Sequence, residues 1–255
     1  MATETFDSIA SDVKQKKFSP VYFFCGEEEF FIDQLVELME NSVLNESEKA
    51  FNQSIIYGKD ATGQNVIETC RRLPMMAERQ LVIIKEAQAF KEIDALVDYF
   101  KKPVSSTVLV IVYKHGTPDK RKEFGKTIQK QAVYFQSDKM KDYLVLNWAK
   151  TFIQKSGYKI DDNALELFIE YTGNDLTTIS NSLEKLIFGK QKGATILADD
   201  IEKCVGISKE YNVFELNSAI ANKDATKAYK IVNYFAANPK NGPLVLVLGT
   251  LQGFF

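Results

Sequence analysis

The sequence predicts an α/β protein with a parallel sheet, followed by a helical part. Two observations carry this. Between Pro20 and Phe135, short apolar runs bounded by turn residues alternate with stretches of helical periodicity. After Asp138 the strand-like runs disappear and helical patterns follow one another.

The first predicted element is an amphipathic helix within residues 1–17, with Phe6, Ile9, Ala10 and Val13 on one face. Pro20 then opens a strand, Val21-Tyr22-Phe23-Phe24, and Cys25-Gly26 turns it into a long helix from Glu28 to Leu44. Ser54 to Tyr57 reads as a strand and Gln64 to Leu73 as a helix that Pro74 must stop, because proline has no amide proton to donate. On that helix Val66, Cys70 and Leu73 share one face. Leu81 to Ile84, four apolar residues in a row, is a strand buried on both sides. A helix at Ile93 to Phe100, a strand at Thr107 to Tyr113, a basic helix at Asp119 to Lys130 and a strand at Ala132 to Phe135 complete the first domain. Strand after helix after strand implies right-handed crossovers.

Helical patterns then cover Tyr143 to Lys155, Asp162 to Tyr171, Leu176 to Phe188 and Ala198 to Cys204, with Gly157, Gly173 and Gly189 as stops. Asn174-Asp175 supplies an N-cap ahead of the apolar face Leu176, Ile179, Leu183, Leu186 and Ile187. A third unit begins near Val213, with helices at Val213 to Ala221 and Ala225 to Phe235 and an apolar run from Leu244 through Leu251 to Phe254-Phe255. A helix ending on Phe-Phe without a cap or polar tail suggests a protein that continues. The expected domains are 1–137, 138–210 and an incomplete 211–255.

Composition narrows the function. The 255 residues are 45% hydrophobic and 26% charged, as expected of a folded, soluble protein with a sizeable core. A net charge of −2 gives no global attraction to nucleic acid, so any DNA contact must be local or made by a partner. Cys25, Cys70 and Cys204 are odd in number and widely spaced, which argues against a disulfide framework and a zinc site and favours a reducing cytoplasm. The first residues lack the pattern of a signal peptide, and no apolar run reaches the ~20 residues of a membrane span.

Catalysis has no visible home. One histidine, His115, excludes most histidine-based triads and multi-histidine metal sites, and its Lys-His-Gly-Thr-Pro setting reads as a solvated turn. The turn after the first strand is where a phosphate-binding loop would lie in an ATPase. GxxxxGK[ST] is absent: one glycine is followed by Glu27, Glu28 and Glu29, carboxylates that complement a helix dipole themselves and repel a triphosphate. Lys85 ends the strand Leu81–Ile84 where an ATPase wants an acid for magnesium. Glu86 follows it, as a mimic of the catalytic base or as a solvated loop residue. No cofactor, metal or catalytic residue is therefore expected. Lys114, Lys120, Arg121, Lys122, Lys126 and Lys130 form the one locally basic stretch, open to reading as a solvated face or as a phosphate contact.

Met75 and Met76 follow the predicted helix stop. Methionine's commonest role is to fill a gap in a core. The other reading is a small apolar tip, held out by a rigid helix end beside a central strand.

Three stretches, Pro20-Val21-Tyr22-Phe23-Phe24-Cys25-Gly26-Glu27-Glu28, Leu73-Pro74-Met75-Met76-Ala77-Glu78-Arg79-Gln80-Leu81-Val82-Ile83-Ile84 and Asp119-Lys120-Arg121-Lys122-Glu123-Phe124, resemble in order and spacing the delta-subunit family of the bacterial DNA polymerase III clamp loader. Gly173-Asn174-Asp175-Leu176 resembles that family's turn in its helical domain. The resemblance implies an AAA+-like α/β domain without a working P-loop, a small helical lid domain and the start of a helical collar domain. It also implies a subunit without an ATPase site of its own, acting within a polymerase holoenzyme. In that family an apolar pair at the tip of the first domain enters a pocket of the sliding clamp and helps to open the ring. The pair falls on Met75 and Met76, with Leu73 and Pro74 at the rim, where the family more usually carries leucine and phenylalanine. The partners implied are the sliding clamp (the beta subunit), the other loader subunits through the collar, and DNA within the assembled complex, in the cytoplasm and away from membranes. The alternative is an ATP-hydrolysing clamp-loader-type protein with an unusual phosphate loop.

Overall fold

A computed structural model describes residues 4–205, 213–237 and 244–254. The chain divides into two compact units, residues 1–140 and 141–255. The further division expected at 210/211 lies outside the described residues.

The first unit is built on a five-stranded parallel sheet of β1 (Val21–Gly26), β2 (Gln53–Tyr57), β3 (Gln80–Lys85), β4 (Thr107–Lys114) and β5 (Val133–Ser137), in the order β2-β3-β4-β1-β5. Among the described residues six α-helices accompany the sheet: α1 (Phe6–Lys14), α2 (Glu29–Ser42), α3 (Glu46–Asn52), α4 (Gly63–Arg71), α5 (Val97–Lys101) and α6 (Glu123–Gln131). Ile9 and Val13 of α1 and Ile32, Leu35 and Met39 of α2 pack with Tyr22, Phe24, Leu81, Ile83 and Val110 on one sheet face. Val66 and Cys70 of α4, Phe100 of α5 and Phe124 and Ile128 of α6 pack with Phe23, Val82, Ile84 and Ile111 on the other. With both faces covered, the central strands must be apolar throughout, which is why they read as continuous runs and not as alternations.

The structure departs from the sequence expectation where local side chains overrule periodicity. Helix α6 begins at Glu123 and not at Asp119, because the Asp119 carboxylate accepts the Arg121 amide (2.9 Å) and the Lys122 amide donates to the Asp119 carbonyl (3.1 Å), closing a turn. The stretch expected as one helix from Ile93 opens as a 3-10 turn, Ile93–Leu96, before α5. Helix α3 was not expected at all. A capping box starts it: the Asn45 side chain accepts the Glu48 amide (3.0 Å), and the Glu48 carboxylate accepts the Asn45 amide (2.9 Å).

The second unit holds α7 (Asp142–Lys155), α8 (Asp162–Thr172), α9 (Leu176–Ile187), α10 (Ala198–Val205), α11 (Val213–Ala221), α12 (Ala225–Ala237) and α13 (Leu244–Phe254). Asp175 caps α9 as expected, accepting the Thr178 amide at 2.7 Å, and Leu176, Ile179, Leu183 and Leu186 are buried. The expectation that strands end at Asp138 is corrected: β6 (Lys159–Ile160) pairs in parallel with β7 (Thr195–Ile196). Two residues per strand are too few for periodicity to show.

Burial lifts the Cys25 thiol from 9.0 to about 11 and the Cys70 thiol from 9.0 to about 12, whereas Cys204 is exposed. In the unfolded chain the first two thiols lose their protons near the ordinary value while the folded chain still holds them, so the unfolded state binds fewer protons and stability falls as pH rises. Denaturant titrations between pH 8 and 11 are expected to show the full stability at pH 8. A loss on the order of a few kcal/mol is expected by pH 11. Native thiol labelling near neutrality is expected at Cys204 alone.

Candidate functional site

The segment 72–79 between α4 and β3 is held at three places. The first is the end of α4. The helix stops at Arg71, and the Arg72 amide turns back to the Thr69 carbonyl (3.3 Å). This is two residues short of the expected stop, so Leu73 leaves the face it was expected to share with Val66 and Cys70 and is 81% exposed. Pro74 accounts for the early exit, since it disfavours helical backbone at the residue before it as well as withholding a donor.

The carbonyls left over at that helix end meet two buried polar side chains. The Gln80 carboxamide nitrogen lies 2.7 Å from the Arg72 carbonyl, 3.2 Å from those of Thr69 and Cys70, and 2.8 Å from Thr107 Oγ1. The Thr107 hydroxyl donates to the Cys70 carbonyl at 2.7 Å. Gln80 heads β3 and Thr107 heads β4, so the end of α4 is tied to the middle of the sheet. A buried helix end without such partners would carry unpaired carbonyls.

The second attachment is Asn52, the buried last residue of α3. Its Oδ1 accepts the Met75 amide (2.7 Å), and its Nδ2 donates to the Met75 carbonyl (2.9 Å) and to the Glu48 carbonyl (3.1 Å). The third is Arg79, whose guanidinium lies 5.5 Å from the centre of the Phe18 ring.

Between these attachments Met76 takes a left-handed backbone, φ +53°, an uncommon and strained conformation for an unbranched residue other than glycine. Met75 is 60% exposed and Met76 fully exposed at 102%, while Pro74 is half-buried. Neither methionine fills a gap in the core. Phe51, next to Asn52 on α3, is a further exposed apolar side chain. Sequence reading missed Asn52, Gln80 and Phe51. The Asn45–Glu48 capping pair was the signal for α3, and a glutamine at the head of an apolar run was the signal for the tie.

The turn after β1 is built differently from a phosphate cradle. Gly26 has φ +128°, and a Cβ there would stand 2.0 Å from the Ser137 carbonyl oxygen, so this glycine serves close packing against the end of β5. The Gly26 amide donates to Gly116 (2.9 Å) and the Glu28 amide to Ser137 (3.1 Å). Glu28 caps α2, its side chain accepting the Phe30 amide (3.4 Å). Glu29 and Asp33 of α2 each lie 2.8 Å from the Lys114 ammonium, and His115 Nδ1 lies 3.2 Å from Glu29. Burial works against the charge on Lys114, but the hydrogen bonds to Asp33 and Glu29 outweigh it and raise its pKa above the ordinary lysine value. Lys85 pairs with Glu40 at 3.1 Å, and exposed Glu86 has φ +54°. Carboxylates and ion pairs thus occupy the ground where a triphosphate would need donors. Among the described residues no cluster of three or more histidine, cysteine or acidic side chains could hold a metal, and no helix is long and apolar enough to cross a membrane.

Asn52→Ala is expected to lower the unfolding free energy by about 1–3 kcal/mol, read by denaturant titration, and to speed hydrogen exchange at the Met75 amide. Gly26→Ala is expected to destabilise by more than about 3 kcal/mol or to prevent folding, because both the positive φ and the Ser137 backbone oppose a Cβ.

Comparison with known proteins places this architecture. The pattern defining the family "DNA polymerase III, delta subunit" matches residues 22–138. The chain is 25% identical over 229 residues to DNA polymerase III subunit delta of Bacillus subtilis, an alignment covering 86% of this chain. The chain spans 66% of the length of that relative. In fold it is similar to the solved Bacillus subtilis DNA clamp loader delta protein, with a TM-score of 0.70 and 23% identity over 91% of this chain and 72% of that one. Residues 22–138 thus carry the pattern of the DNA polymerase III delta-subunit family, and the similarity to the Bacillus subtilis delta subunit extends over 86% of the chain.

Proposed function

We propose that the chain is a non-catalytic clamp-opening subunit that grips the DNA sliding clamp through the tip formed by Leu73, Pro74, Met75 and Met76. The observation that carries this reading is the exposure of both methionines on a backbone pinned by Asn52 and Gln80. Buried apolar side chains are the ordinary outcome of folding, and an exposed group of them on a rigid mount suits a partner's apolar pocket.

The energetics suffice. Burying two such side chains contributes about 3 to 6 kcal/mol before the costs of association. A mount that is already ordered keeps part of those costs low. Opening a closed ring requires tighter binding to the open than to the closed form, since equal affinity shifts no population.

The remaining parts of the reading follow the same scheme. Residues 138–210 serve as a lid domain and 211–255 belong to a collar that joins the other loader subunits around DNA, in the cytoplasm. Support for an assembly surface comes from α12 and α13, where Tyr229, Val232, Leu244, Val245 and Leu248 are exposed. The ion pairs of Lys114 with Glu29 and Asp33 favour a subunit without ATP hydrolysis over the alternative of a working ATPase.

The test is binding of the purified chain to the sliding clamp of the same organism, in its closed ring form and in a variant held monomeric. Met75→Ala combined with Met76→Ala is expected to weaken binding by at least about tenfold while leaving the melting temperature unchanged, and the monomeric clamp is expected to bind tighter than the ring. Undiminished binding by the double variant would remove the tip from this role.

A further inference from the structure

A second surface, on the first unit, is built for a different chemistry. A cleft of about 570 Å³ opens between α6, the start of β5 and the segment before β1. Lys120, Lys126 and Lys130 line it, with the amide side chains of Gln129 and Gln131. All three lysines are exposed, and among the described residues none of them has a carboxylate partner. Arg121, beside Lys120, is by contrast paired with Asp119. The one carboxylate on the cleft wall, Glu4, accepts a hydrogen bond from the Ser8 hydroxyl (3.1 Å).

The geometry points to this cleft as a binding site for the phosphate backbone of a nucleic acid strand. Lysines without a carboxylate partner scattered singly over a surface signify little, but here three converge on one concavity of a chain whose net charge is −2, and the one side-chain contact among them, Lys120 Nζ to Gln136 Oε1 at 3.4 Å, is to a neutral amide. Lys126 and Lys130 stand one helical turn apart on the same face of α6, about 6 Å along the axis, the scale of the step between neighbouring phosphates of a strand. Exposed Gln131 adds a neutral donor for phosphate oxygens, while the Gln129 side chain is engaged with the Tyr134 hydroxyl. An acidic protein segment is the less suited occupant, because the wall offers it no exposed apolar anchor: Pro20, Ala132 and Val133 are already half-buried. A phosphate strand needs no such anchor, since neutralising it releases condensed counterions. The wall presents no exposed aromatic or free guanidinium to a base, so the binding is independent of sequence.

The test is fluorescence anisotropy of labelled mixed-sequence oligonucleotides, single- and double-stranded, titrated with the purified chain at several salt concentrations. Binding is expected at low salt, with log K falling against log salt at a slope of about −2 to −3, the value for three neutralised phosphates. Lys120→Gln, Lys126→Gln and Lys130→Gln together are expected to weaken binding at least tenfold at low salt and to flatten the slope. A variant of equal charge change in the second unit, Lys155→Gln, Lys159→Gln and Lys192→Gln, is expected to bind as the parent does. The Met75→Ala, Met76→Ala variant is expected to bind the oligonucleotide normally, which separates this site from the tip. The assignment is overturned if the cleft variant binds as the parent does or if the second-unit variant loses as much. It is also overturned if polyglutamate at matched charge displaces the oligonucleotide as well as unlabelled DNA does.

Discussion

The Gln80 carboxamide, sealed between α4 and the heads of two strands, is the contact on which the exposed tip depends. A helix that ends against a sheet leaves carbonyls that water cannot reach, and the cost of leaving them bare is comparable to that of losing several surface interactions. Gln80 and Thr107 meet those carbonyls from β3 and β4, which are themselves held on both sides in the ladder. The helix end therefore inherits the rigidity of the sheet. With Asn52 fixing Met75 from α3, the chain has little freedom to fold its methionines inward. Met76 adopts a backbone it would not choose alone, and holds it because its neighbours on both sides are determined.

The opposite treatment is given to the turn after β1. Ordinarily a helix N-terminus beside a parallel sheet is an open anion site. Here α2 meets its own carboxylates: Glu28 satisfies a free amide, and Glu29 and Asp33 reach across to Lys114 at the end of β4. The ion pairs join a helix to a strand, a connection that a bound nucleotide makes in proteins that carry one. Gly26, the one glycine of the turn, is committed to Ser137. At this turn the helix end and the strand end are joined by side chains.

Much of this was legible in the residues. The buried strands read correctly because a sheet covered on both faces leaves no polar positions to confuse the pattern, and the acid-rich turn declared its chemistry by composition. The exposure of Met75 and Met76 was not legible in the residue pattern, since methionine is at home in cores and periodicity ends at Pro74; only the family resemblance put the pair at a tip. What decides their placement is a set of hydrogen bonds between side chains and backbone as far as 37 residues apart in sequence, Thr107 to Cys70 among them. A single sequence carries no local mark of such a tie. The start of α6 was misjudged for the related reason that Asp119 prefers its own turn to the helix. The β6–β7 ladder escaped notice because two residues make no pattern.

A thioether has three rotatable bonds beyond its Cα, and at this site they are the freest part of a segment whose main chain is fixed. Shape adaptation is thereby confined to the side chains: turning their torsions changes the contour that the exposed pair presents, while its point of attachment keeps its register. Leucine and phenylalanine would offer a more definite outline and less tolerance. The pair found here trades sharpness of outline for compliance.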